Sequence, residues 1–184
     1  MRVVAGKYKG RHFDVPRTFK ARPTTDFAKE NLFNVLANRI DFEDATALDL
    51  DLFAGTGSIT LEFLSRGCRR VVSVEKEALH YSFIQRFVEQ LQDLAAVPVR
   101  GDVFRFLERC NEKFDIVFAD PPYQLPRLCE LPDLVMGKDI LKENGLFVLE
   151  HGKEQRFEAH PCFVEHRAYG SVNFTFFQQP ILSR

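Results

Sequence analysis

The hydrophobic pattern changes rhythm twice along this chain. From Thr46 onward, short apolar runs alternate with stretches whose apolar residues recur at helical spacing. The runs predict strands at 47–53, 70–75, 97–100, 114–119 and 145–150, and the stretches predict helices at about 57–66, 77–94, 103–110 and 126–139. Strand-then-helix repetition implies βαβ units, right-handed crossovers and a mostly parallel, doubly wound sheet. The tail behaves differently: residues 163–169 and 172–178 flank Gly170-Ser171, which reads as an antiparallel hairpin closing one edge. Before the repeat, residues 2–5 and 11–15 read as two short strands joined by a glycine-bearing turn at 6–10. Thr24 or Thr25 can cap a following helix, with Asp26 in its first turn and Phe27, Leu32, Phe33, Leu36 and Ile40 near helical spacing. The fold class is therefore α/β, with a small N-terminal hairpin-and-helix extension. The junction 41–44 separates an extension (1–44) from the main domain (45–184).

Composition narrows the class. A chain of 184 residues, 45% hydrophobic and 28% charged, is ordinary for a globular protein with one main core. No apolar run approaches the roughly 20 residues of a membrane span. The opening residues are too polar for a signal peptide. Cys68, Cys110, Cys129 and Cys162 are isolated, without a CxxC, and read as reduced thiols in a cytoplasmic protein. With no Trp, the 19 phenylalanines must fill much of the core. The net charge of −1 hides an asymmetry, because residues 1–40 hold nine Lys and Arg against three acids. A basic arm on an acidic body is a candidate contact for a polyanion.

The strand ends carry the chemistry. Asp120-Pro121-Pro122-Tyr123 follows the apolar run 114–119 and so lies at the carboxyl edge, where open α/β sheets bind ligands. The prolines stiffen the turn and leave carbonyls available. A carboxylate, a free carbonyl and an aromatic ring together suit a planar group bearing an NH2. The first strand runs into Asp51, Phe53 and then Gly55-Thr56-Gly57, a turn that lets a ligand approach backbone. The third glycine of a dinucleotide fingerprint is replaced by Thr60, and Asp51 would repel a pyrophosphate. Glu75, ending the second strand, suits ribose hydroxyls. Asp102 either accepts from an adenine amine, with Val103 and Phe104 beside the ring, or simply caps the next helix. Four acids at four successive strand ends favour a cofactor with cationic and hydroxyl groups.

Together these motifs resemble the class I S-adenosylmethionine-dependent methyltransferases, whose Rossmann-like fold is implied. Arg2, Gly6, Gly10 and Arg11, with Arg22-Pro23-Thr24-Thr25-Asp26, Glu30 and Leu32-Phe33-Asn34, narrow the resemblance to the bacterial 16S ribosomal RNA guanine-N2 methyltransferase family over nearly the full length. Phe27-Ala28-Lys29 departs from that family's more basic segment. The resemblance implies catalytic residues Asp120, Pro121, Pro122 and Tyr123. It implies an S-adenosylmethionine site at Asp51, Phe53, Gly55, Thr56, Gly57, Glu75, Lys76, Asp102, Val103 and Asp120, with no metal. Arg2, Lys7, Lys9, Arg11, Arg22 and Thr24 would contact RNA. The implied partner is 16S RNA, free or within an assembling small subunit, met by a cytoplasmic monomer.

Such an enzyme would transfer the sulfonium methyl directly to N2 of a guanine. Asp120 and the Pro121 carbonyl would accept from the amine, and Tyr123 would stack on a base turned out of its helix. The residues also admit an adenine-N6 methyltransferase, an enzyme acting on a glutamine amide, or a catalytically silent RNA-binding protein on the same fold. His151, after the last parallel strand, is expected to be structural.

Overall fold

The computed structural model describes residues 1–19, 24–50 and 55–180. Seven strands form one sheet: β1 (Thr46–Leu50), β2 (Arg70–Glu75), β3 (Ala96–Arg100), β4 (Phe114–Ala119), β5 (Leu141–His151), β6 (Phe163–Tyr169) and β7 (Val172–Gln178). Their order is β3-β2-β1-β4-β5-β7-β6. The first five are parallel, and β7 enters antiparallel between β5 and β6. β1, β2 and β4 are central and almost wholly buried, which is why their sequences are apolar runs rather than alternations. β3 is an edge strand and tolerates Pro98, whose missing N–H needs no partner on the open side.

Helices cover both faces. On one face, α1 (Asp26–Ala37), α2 (Ser58–Ser65) and α3 (Ala78–Leu91) bury Leu32, Phe33, Phe63, Phe83 and Phe87 against Ala47, Val71, Ile116 and Phe118. On the other, α4 (Val103–Arg109) and α5 (Leu131–Gly137) bury Val103, Leu107, Leu131 and Val135 against Leu48, Leu50, Val72, Val117 and Leu149. Adjacent residues of β1, Ala47 and Leu48, enter opposite layers, as period-two geometry requires. Among the described residues, no helix is long and apolar enough to cross a membrane.

Most expected elements lie within a few residues of their predicted bounds, and three differ. β5 begins at Leu141 rather than 145, because Asn144 at φ 63° and a register irregularity between Phe114 and Ile116 let the chain pair early. The last crossover opens as a 3-10 turn at Leu128–Glu130 before α5. The two expected N-terminal strands are shorter than predicted and pair antiparallel around the bridge Arg2↔His12, with Val3 N donating to Arg11 O at 3.1 Å and Phe13 N to Met1 O at 2.9 Å.

The stretch that leads into the hairpin turn bonds to α2 instead. Val4 and Ala5 each donate to the carboxylate of Glu62 at 3.0 Å, and Lys7 N donates to Ser65 O at 2.7 Å. Glu62 is fully buried and also meets Lys29 Nζ at 3.7 Å and Arg66 Nε at 3.3 Å. Lys29 itself is 1% exposed and donates to Arg2 O at 2.6 Å and Ser58 Oγ at 3.1 Å. Its burial lowers its pKa, with Glu62 and Asp26 opposing that shift. Lys29 is thus an internal strut rather than a surface cation. Val3 and Phe13 share one core with α1 and α2.

Gly6 has φ +83°, and a Cβ there would sit 2.0 Å from Ser65 O. Gly6→Ala should cost on the order of 3 kcal/mol through strain and collision. For a protein of this size that lowers Tm by roughly 6–12 °C. A calorimetric Tm within 2 °C or so of wild type would show that the segment is not pinned as described.

Candidate active site at the carboxyl edge of the sheet

Parallel pairing brings the ends of β1, β2, β3, β4 and β5 to one edge. Glu75, Asp102 and Asp120 therefore share a rim, as the sequence anticipated. Asp51, Phe53 and Arg22 lie outside the described residues. Two acids that sequence reasoning missed join the rim, Asp49 of β1 and Glu150 of β5. Both hide inside apolar strands, and the polar residue interrupting each run was the available signal.

Glu75 is fully buried, with Oε1 accepting from Glu77 N at 2.6 Å and Oε2 from Gly55 N at 3.3 Å. Desolvation raises its pKa to about 7, against the pull of these backbone donors. The carboxylate thus ties the glycine loop to the end of β2 while lying at the rim. Thr56 is buried beside it. Gly57 starts α2 at φ +68°, and a Cβ there would lie 2.6 Å from Phe87 Cε1 and 2.9 Å from Ile84 Cγ1. Its glycine identity is therefore demanded by α3 packing, besides any approach of a ligand. Thr60, in the place of a third fingerprint glycine, donates to Asp49 Oδ2 at 2.5 Å and lies 2.8 Å from Ser73 Oγ. Asp49 is pushed to about 6 by burial.

Three expected cofactor contacts have structural duties. Asp102 caps α4, accepting from Phe104 N at 3.1 Å and Arg105 N at 3.3 Å, and pairs with Lys76 at 3.3 Å. The cap and the ion pair hold its pKa below the usual range despite partial desolvation. Lys76 stands exposed at that pair. Val103 is 1% exposed, so it belongs to the core layer under α4 rather than to an open ring-contact surface.

At the Asp-Pro-Pro-Tyr turn, Pro121 is buried, Pro122 is exposed and Tyr123 is 37% exposed. Tyr123 Oη donates to Glu150 Oε1 at 3.0 Å, and its ring lies against Gly152, where a Cβ would sit 3.0 Å from Tyr123 Cδ2. Thr24 Oγ1 donates to Glu150 Oε2 at 2.9 Å. Thr24, expected to contact RNA, is 7% exposed and turns its hydroxyl inward to Glu150. Asp120 keeps some exposure at the rim, while its carboxyl is raised well above the usual range by desolvation and by the charges of Glu150 and Asp49. Glu150 is raised to about 7, mainly by burial. His151 is a satisfied core histidine, with Nδ1 2.7 Å from Gly152 O and Nε2 2.7 Å from Thr175 Oγ1.

The basic arm divides into paired and unpaired groups. Arg2 meets Asp26 at 2.9 Å and Lys7 meets Asp93 at 2.9 Å. Lys9 and Arg11 are exposed and have no ion pair among the described residues, and Arg11 stacks over Tyr8 at 5.4 Å. A groove of about 570 Å³ lined by Ala37–Glu43 and Arg66 lies at the opposite, amino-terminal edge, away from this chemistry.

The sheet order with its inserted antiparallel β7, and a carboxyl-edge site ending in Asp-Pro-Pro-Tyr, define a class I methyltransferase. A solved putative methyltransferase, yhhF from Escherichia coli, superposes with a TM-score of 0.82 at 30% identity, covering 97% of both chains. The chain belongs to the family described as "Conserved hypothetical protein 95", which matches residues 1–178. It is 34% identical over 161 residues to the putative rRNA methyltransferase YlbH of Bacillus subtilis, covering 84% of each chain. It is 30% identical over 185 residues to ribosomal RNA small subunit methyltransferase D of Escherichia coli K12, covering 97% of this chain and 90% of that one.

Burial makes the carboxyl edge costly to ionise. Raised carboxyl pKa values mean that stability is full below the ordinary carboxylate range and is lost as pH rises toward the folded values, about 6 for Asp49 and about 7 for Glu75 and Glu150. The Tm of the ligand-free protein should therefore rise by several degrees from pH 8 to pH 6, read by calorimetry. A Tm that is flat or falling over that window would contradict burial of these groups.

Proposed function

We propose that this protein transfers a methyl group from S-adenosylmethionine to the exocyclic N2 amine of a guanine in 16S ribosomal RNA. The carrying observation is a partly exposed Asp120 at the sheet edge, beside the Pro121 carbonyl and the half-open Tyr123 ring. The names of the relatives, ribosomal RNA methyltransferases, support the substrate class. The donor set fits the cofactor. Glu75 offers buried carboxylate oxygens beside the Gly55 amide, and the acidic rim favours a cation over a pyrophosphate. Asp51, Phe53, Gly55, Thr56, Gly57, Glu75, Lys76 and Asp102 would hold it, with Val103 supporting the pocket from the core. When bound, S-adenosylmethionine supplies an electrophilic methyl on a sulfonium.

The chain's own residues mainly position. Asp120 and the Pro121 carbonyl accept from the amine and aim its lone pair, which is otherwise delocalised into the ring. Tyr123 presents a face to the base, held at its hydroxyl by Glu150. The target base leaves its helix to reach this turn. Lys9 and Arg11, with Arg2, Lys7 and Arg22, hold phosphates around it. Residues 1–44 act as the RNA-contacting extension of the methyltransferase domain 45–184. The protein acts as a cytoplasmic monomer, on free RNA or an assembling subunit.

Asp120→Ala should abolish methylation while leaving S-adenosylmethionine affinity within about threefold by calorimetry. Mass mapping of ribosomal RNA from cells lacking the protein should show one missing N2-methylguanine, restored by wild type and not by Asp120→Ala. A missing N6-methyladenine, or an unchanged map, would refute the reading. Replacing Lys9 and Arg11 by alanine should weaken RNA binding and flatten its log–log salt dependence by roughly one to two units. An unchanged slope would remove the arm from the RNA contact.

A further inference from the structure

Glu150 is 4% exposed, lies next to Asp120, and is unused when Asp120 and Pro121 alone grip the amine. The neighbour relation is set by strand register. β4 and β5 pair in parallel at Ala119↔Leu149, which sets Asp120 beside Glu150 one residue further on. Two neutral hydroxyls already donate to Glu150, Tyr123 Oη at 3.0 Å and Thr24 Oγ1 at 2.9 Å. The third neighbour is the Asp120 carboxyl, which the strand register sets beside it. Two buried carboxyls set side by side share a proton more readily than they carry two charges. Neither has an ion-pair partner among the described residues.

The remaining neighbours supply no cation. Asp49 of β1 adds repulsion at Asp120. Across β7, Phe174 opposes Glu150 in register. His151 is committed to Gly152 and Thr175. With its lone pairs engaged by two hydroxyls, Glu150 is the better seat for the negative charge, and Asp120 for the proton.

We propose that Glu150 is a positioning residue that shares a single proton with Asp120, so that Asp120 accepts the substrate amine through its outer oxygen and the pair then takes up the proton released by methylation. This rests on the amine-methylation reading above. The N2 lone pair forms the new N–C bond as the S–C bond breaks, and that bond's electrons remain on sulfur, leaving a neutral thioether. N2 is then cationic, facing the pair's single negative charge. One N2 proton moves to the outer oxygen of Asp120 while the shared proton passes to Glu150. The pair goes from one proton to two, N2 becomes neutral, and the extra proton returns to water on product release.

Burial supports the required state. Glu150 is raised to about 7 by burial, and Asp120 well above the usual carboxylate range by burial and the Glu150 charge, which favours a single proton on the pair near neutrality. Single-turnover methylation by wild type should fall as pH drops below about 7, where both carboxyls are protonated. Glu150→Gln keeps size and acceptor oxygen but removes the charge. Its acid limb should move down by at least one pH unit, with rate at pH 8 reduced about tenfold and KM little changed. Thr24→Val removes one donor from the Glu150 carboxylate and should move the limb the other way, to higher pH.

Infrared difference spectra, wild type minus Glu150→Gln, read the pair in the ligand-free protein and cancel Asp49 and Glu75. They should show a carboxylic acid persisting above pH 7 in wild type and ionising at lower pH in the variant. An active wild type whose pH profile is unchanged by Glu150→Gln, or a difference spectrum without a protonated acid above pH 6, overturns the shared proton. A wild type that shows the infrared signature but leaves ribosomal RNA unmethylated overturns the amine-methylation reading instead.

Discussion

Parallel pairing forces like charges together. A parallel strand ends where its neighbours end, so any carboxylate at a strand tip meets the next one at short range and low dielectric. Asp49, Glu75, Asp120 and Glu150 are brought together in this way, and burial pushes each of them toward its neutral form. The fold accepts that penalty at one edge. It distributes the relief among backbone amides for Glu75, the Thr60 hydroxyl for Asp49, and the Thr24 and Tyr123 hydroxyls for Glu150. An edge so tensioned gains by meeting a cationic ligand, which is the electrostatic logic of a sulfonium methyl donor.

The N-terminal segment reaches that edge from outside the sheet. Its amides at Val4, Ala5, Lys7 and Tyr8 are satisfied by Glu62 and Ser65 of α2, and the cation of Lys29 closes the cluster from α1. Breaking one partner of such a buried pair leaves the other uncompensated. The same segment continues to Thr24, whose hydroxyl ends on Glu150. The N-terminal segment and the carboxyl edge of the sheet are therefore joined by a buried hydrogen bond.

Residues that look alike in the sequence divide by what surrounds them. Asp102 and Asp120 both follow parallel strands, yet Asp102 is occupied by helix amides and Lys76, while Asp120 faces another acid. Gly55 and Gly57 both mark the first turn, yet Gly57 is required by Phe87 pressed against it, while Gly55 lends Glu75 a backbone N–H. Arg2 and Lys9 are both basic, yet Arg2 is half engaged with Asp26. Local identity gives each group its chemistry, and the partner supplied by the fold decides how it is used.

The alternation of apolar runs with helical periods determined the βαβ order, the antiparallel tail and the placing of Asp-Pro-Pro-Tyr at a strand end, because burial on two faces writes itself directly into composition. The glycine turn, Glu75 and Asp120 were legible for the same reason: a strand tip is a position that sequence can locate. Only the tertiary structure revealed Glu150 and Asp49, set into otherwise apolar strands, and the inward turn of Thr24 and Lys29. It also showed that the short N-terminal hairpin is pinned to α2, since the amides of Val4, Ala5 and Tyr8 in its turn region bond to Glu62 and Ser65 some 57 to 58 residues away. Contacts of that span depend on which elements the sheet brings side by side, and no local pattern records them.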